Sequence, residues 1–191
     1  MAEVVLFHHA QGLTSGCLGF ADELRAAGHV VHVPDLYDGQ TFAELGDGIG
    51  YAQRVGFDTI LERGRVAADG LPNDVVYAGL SLGVMPAQML AQTRPDAKGA
   101  VLLHAALPPS EFGGDWPPTV PLQIHLMEDD QFALEGDLDA ARELDDTVEN
   151  ATLFLYPGDC HLFTDSSLAD YDEHAATLVK QRVLAFLDGI E

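Results

Sequence analysis

Basic residues are scarce in this sequence: 9 Lys and Arg stand against 31 Asp and Glu in 191 residues, for a formal net charge of −22 and a pI near 4.3. A surface so charged repels phosphate backbones and anionic lipid, which excludes nucleic acid and anionic membrane as principal partners. The excess acid suits a solvated surface or one adapted to high salt, and Asp137, Asp139, Glu143, Asp145, Asp146 and Glu149 read as helix faces and ends. Cysteine is equally sparse. Cys17 and Cys160 are too few for a disulfide scaffold, so a reducing, cytoplasmic compartment is expected. No apolar run approaches the roughly 18 residues that span a bilayer, and Met1-Ala2-Glu3 enters the first apolar run without a basic leader. Repeats, low-complexity tracts and linkers are lacking too, so residues 1–191 are expected to form one domain around one core.

What the sequence does contain is an alternation of short apolar runs and amphipathic stretches. Val4–Phe7, His29–Val33, Val75–Ala78, Ala100–His104, Pro121–Leu126 and Ala151–Tyr156 read as strands. Phe20–Ala27, Tyr51–Ala68, the segment after Gly83, Asp137–Leu144 and Ala169–Leu187 read as helices, with loops over Tyr37–Gly50 and Ala105–Pro118. This order predicts an α/β fold with a mostly parallel sheet and helices on both faces.

Gly79-Leu80-Ser81-Leu82-Gly83 joins one such strand to one such helix. A G-x-S-x-G in that position describes a nucleophile elbow, a tight turn that lifts a serine hydroxyl above the sheet edge. Serine is a weak nucleophile and needs a base, which needs an orienting carboxylate. Asp130 follows the Pro121–Leu126 strand and His161 follows the Ala151–Tyr156 strand. Ser, then Asp, then His, each just past a strand, is the chain order of an α/β-hydrolase triad. Glu128 and Asp129 compete with Asp130 for the acid role, and register favours Asp130; Asp159 is a further rival. Pro86 stands early in the elbow helix with no evident role.

On the segments Val4–Leu13, Gly28–Tyr37, Tyr77–Gly83, Pro121–Phe132 and Tyr156–Phe163, the sequence resembles the dienelactone hydrolase family, a compact branch of the α/β-hydrolases, over nearly its whole length. The resemblance implies Ser81 as nucleophile, Asp130 as acid and His161 as base, with the backbone N–H groups of Leu82 and Ala10 forming the oxyanion hole. Three positions depart from the family. Its best-known members carry cysteine where Ser81 stands, and a second glycine where this chain has Val84. The glutamate that restrains their thiol falls at His9. The arginine that holds a substrate carboxylate falls at Asp165, which disfavours dienelactone itself and predicts that Asp165 repels anionic substrates.

Cys17 and Cys160 are expected to be buried and inert. His8, His9, His104 and His125 fall at strand ends but lack ligand spacing, so no metal or cofactor is expected; His9, Gln11, His104 and Trp116 are assigned to the substrate pocket. The sequence thus predicts a serine hydrolase acting on a small ester, lactone or thioester. A catalytically idle hydrolase fold that binds a small molecule is the alternative.

Overall fold

The computed structural model describes residues 1–190. The apolar runs form six strands: β1 (Glu3–Phe7), β2 (Val30–His32), β3 (Val76–Leu80), β4 (Gly99–Leu103), β5 (Leu122–Met127) and β6 (Ala151–Tyr156). They make one sheet in the order β2-β1-β3-β4-β5-β6, and every pairing is parallel. Both faces of such a sheet are covered, which is why its strands read as continuous apolar runs. Val4, Leu6, Val76, Ala78, Val101 and Leu103 pack on α1 (Ser15–Ala26) and α6 (Glu173–Asp188). The alternate residues Val5, Phe7, Tyr77, Ala100 and Leu102 face α3 (Phe57–Asp69), α4 (Val84–Thr93) and α5 (Leu138–Thr147), with α2 (Leu45–Val55) on the same side. Among the described residues no helix is long and apolar enough to cross a membrane.

The strand order reverses between β1 and β3. The chain leaves β1 toward α1 on one face and leaves β3 toward α4 on the other, so their loops diverge and open a crevice at the carboxyl edge of the sheet.

The sheet agrees with expectation and the helices less so. Tyr51–Ala68 is not one helix: α2 begins at Leu45, inside the expected loop, and Gly56, at φ 92, breaks it from α3. The left-handed backbone there ends one helix and starts the next. α1 starts at Ser15, five residues ahead of the expected Phe20, with the Thr14 hydroxyl accepting the Cys17 N–H as its cap. Its first five residues include Gly16 and Gly19, which carry no apolar signal. α5 and α6 are offset, and α6 is capped by the Asp172 carboxylate on Ala175 N–H.

Candidate active site

Ser81 follows β3 directly and has φ 49, a left-handed backbone that a non-glycine residue adopts only when its surroundings impose it. The two glycines supply that imposition. A Cβ on Gly79 would collide with the backbone of Gly83, and one on Gly83 with the carbonyls of Phe7 and His8. The elbow therefore closes on itself and lies against the end of β1. Gly83 thereby lies against the start of the segment that leads from β1 to Ala10, and a Cβ on Gly48 would strike the Ala10 carbonyl, so α2 braces that segment from behind.

The Ser81 hydroxyl lies 2.7 Å from Nε2 of His161, and Nδ1 of His161 lies 2.7 Å from Oδ2 of Asp130. A carboxylate can only accept, so Nδ1 carries a proton and donates to Asp130, leaving Nε2 to accept the serine O–H. Asp130 is 2% exposed, and its Oδ1 accepts the Phe132 N–H at 3.0 Å. Glu128, Asp129 and Asp159 are exposed, so of the four acids Asp130 alone reaches the histidine. The Phe132 ring covers the face of the His161 imidazole at 4.5 Å between centroids. With Ser81 and Leu82 at the start of a helix, the helix N-terminus adds a partial positive charge where an oxyanion would form.

The chain matches the sequence pattern of the dienelactone hydrolase family over residues 1–190. The chain belongs to the dienelactone hydrolase family. That membership and an esterase relative support a hydrolase of ester bonds. One curated relative is the pimeloyl-[acyl-carrier protein] methyl ester esterase of Cronobacter sakazakii, 32% identical over 93 residues that span 46% of this chain and 36% of that protein. Among solved structures, dienelactone hydrolase from Anabaena variabilis is 21% identical with a TM-score of 0.69, over 99% of this chain and 87% of that one. A dienelactone hydrolase-like promiscuous phosphotriesterase from metagenomic libraries is 20% identical with a TM-score of 0.77, over 100% and 87%. These two share the α/β-hydrolase fold with this member of the family.

Within this dienelactone hydrolase family member, the residues assigned to a substrate pocket turn inward. His9 is fully buried and donates from Nε2 to Asp165 Oδ2 at 2.7 Å. Gln11 spends its amide on the carbonyls of Phe42 and Ala43 at 3.1 and 2.9 Å. His104 is buried against Phe163 with Nε2 on the Thr164 hydroxyl at 2.7 Å, and Trp116 donates to Val120 O at 2.7 Å within the core below β4 and β5. For His9 and His104 strand-end position was a poor guide, because it does not fix side-chain direction. Asp165 is likewise corrected: 3% exposed and ringed by donors, it does not face a substrate.

The remaining candidates are structural. His8 donates from Nδ1 to His9 O and accepts the Leu36 N–H at Nε2, a fixed neutral tautomer; burial first, and His9 nearby, lower its pKa to about 4 despite Asp35 at 3.6 Å. His125 sits inside β5 between Tyr156 and Gln123, and burial lowers its pKa to about 3. Cys17 is buried as expected; Cys160 is only half-buried, and its thiol is held protonated by burial and by Asp170, Asp159, Asp172 and Asp130 around it. His9, Cys17 and Asp165 bring three ligand atoms within 4.8 Å of one another. A metal would need the lone pair of His9 Nε2. The Gln11 N–H points at Nδ1, at 3.2 Å, so the ring proton sits on Nε2 and the group is a hydrogen-bonded cluster. Two residues near the triad escaped the sequence reading. Phe132 follows the acid by two positions and could have been found from that spacing. Asp137, read as a helix end, is partly buried near His161 and Asp130, and burial raises its pKa to about 6.

Proposed function

We propose that this chain is a serine hydrolase that cleaves a small, neutral carboxylic ester, lactone or thioester through an acyl-enzyme. One observation carries the reading: a hydrogen-bonded Ser81–His161–Asp130 chain whose serine is held at a positive φ. As Ser81 Oγ attacks the carbonyl carbon, its proton passes to His161 Nε2, and the imidazolium is stabilised by Asp130. The N–H groups of Leu82 and Ala10 hold the carbonyl oxygen as it becomes an oxyanion. His161 then protonates the leaving alcohol or thiol, and water, deprotonated by the same nitrogen, releases the acid.

The preference for neutral substrates is supported by charge. The net charge is −22, and the arginines that precede the elbow are engaged elsewhere: Arg63 with Leu36 O and Asp38, Arg65 with Glu62 and Asp69, Arg54 over the Tyr51 ring. The acidic surface and two free cysteines further support a small-molecule partner and a cytoplasmic setting. Turnover of a neutral short-chain aryl ester and of its carboxylate-bearing analogue, by wild type and Ser81→Ala, tests both parts. Ser81→Ala is expected to lose about 10⁴-fold or more, and the neutral ester to be the better substrate. A hydrolytically silent wild type would instead favour the small-molecule binder.

A further inference from the structure

The loop that carries His161 and the loop that carries Ala10 are fastened together by a single buried carboxylate. Asp165 lies four residues after His161 in a turn closed by its own N–H on Leu162 O at 3.0 Å. Its Oδ1 accepts the N–H and hydroxyl of Ser167 at 2.8 and 2.6 Å; its Oδ2 accepts His9 Nε2–H and the Thr14 hydroxyl, with the Cys17 thiol at 3.8 Å. Space is reserved for it: a Cβ on Gly16, at the start of α1, would run into this carboxylate. Burial opposes its ionisation, and the bonds from His9, Ser167 and Thr14 outweigh burial and hold it well below the usual carboxylate range.

His9 relays the constraint. Burial disfavours charging its ring, but the bonds to Asp165 and Cys17 outweigh burial and raise its pKa to about 9, and the Gln11 N–H meets Nδ1 at 3.2 Å, so both nitrogens are engaged. The His9 carbonyl accepts Gly12 N–H at 3.0 Å and His8 Nδ1–H at 2.8 Å. That carbonyl and the Ala10 N–H belong to one planar trans peptide, so fixing the C=O on one side fixes the direction of the N–H on the other.

We propose that Asp165 and His9 are positioning residues that aim the Ala10 N–H at the oxyanion and set it relative to the base. The inference rests on the serine-hydrolase reading above. Neither residue touches the substrate, and a donor displaced from the oxyanion costs about 10²-fold or more in turnover.

The test measures kcat, KM and Tm for Asp165→Asn, which replaces an acceptor by a donor, for His9→Leu, and for His9→Gln, which restores a donor toward Asp165. Leu187→Ala, in the core of α6, supplies a destabilised control remote from the site. The expected result is a kcat reduced about 10²-fold in Asp165→Asn and His9→Leu with KM changed less than about threefold, partial recovery in His9→Gln, and a normal kcat in Leu187→Ala at matched loss of Tm. If Asp165→Asn does not fold, the two His9 variants carry the same comparison. A kcat that follows Tm across all variants, or one that His9→Leu leaves unchanged, overturns the proposal while leaving the triad intact. Full activity in Ser81→Ala would instead remove the triad itself.

Discussion

At Asp130 the choice between neighbouring acids comes down to burial and reach. Asp129 is exposed and its N–H bonds Gly158 O, while Asp130 is buried on His161 Nδ1. Asp130→Asn offers an amide that can stabilise the wrong imidazole tautomer, so turnover is expected to fall about 10⁴-fold, with Asp129→Asn within a few-fold of wild type. Steady-state kinetics of the pair checks this, and the reverse ranking moves the acid by one residue. That Ser81, His161 and Asp130 meet in one hydrogen-bonded chain was legible because triad chemistry dictates residue type, order and strand-end position together. The pocket was not. His9 and His104 were placed by strand ends, Gln11 by following the first of them and Trp116 within a loop, and hydrogen bonds to partners 31, 60 or 156 residues away, or inward to the core, decided their direction. Asp165 shows the same limit: a position aligned with a substrate-binding arginine became a buried acceptor for His9, a pairing between residues 9 and 165 that local pattern does not contain.

At the scale of elements, strands were easier to read than helices. Six apolar runs gave six strands because a sheet buried on both faces leaves a continuous signature. The helix expected over Tyr51–Ala68 failed at Gly56, since periodicity runs on through a residue whose positive φ breaks it. Pro86, without evident role in the sequence, sits in the first turn of α4, where its missing N–H has no intrahelical acceptor to lose. Its ring packs on Gly64 of α3, where a Cβ would collide with it and lie 3.5 Å from the Phe7 ring. Helix propensity favours Gly64→Ala by about 1 kcal/mol, but overpacking costs about 1–3 kcal/mol. A net loss of stability is therefore expected in urea unfolding, and a gain would show that α3 and α4 part more readily than their packing implies.

Across the whole molecule, the charge and three of the buried histidines pull stability in opposite directions as pH falls. Protonation of surface acids toward the pI near 4.3 relieves self-repulsion and favours folding. His8, His104 and His125 act the other way: burial holds their folded pKa values below 6.5, at about 4 for His8, well below 6.5 for His104 and about 3 for His125. A depressed folded pKa contributes stability that is complete above the unfolded value and is lost as pH falls through it. By pH 5 His8 and His125 each cost about 2 kcal/mol and His104 adds a loss of the same sign, against about 1 kcal/mol gained from Asp137 and a smaller gain from His9, whose folded pKa values are raised. Unfolding free energies measured from pH 7 to 5 are thus expected to fall by several kcal/mol, a large part of a typical domain's total; a rise would mean that surface repulsion dominates.

The central claim is that Ser81 is the nucleophile of a working triad, and covalent labelling tests it most directly. A fluorophosphonate is attacked by an activated serine and stays attached, so digestion and mass mapping read the reactive atom's address without knowledge of the substrate. The account predicts one adduct, on Ser81, lost in Ser81→Ala and strongly slowed in Asp130→Asn. No adduct, or one on another residue with Ser81 unmodified, would contradict it.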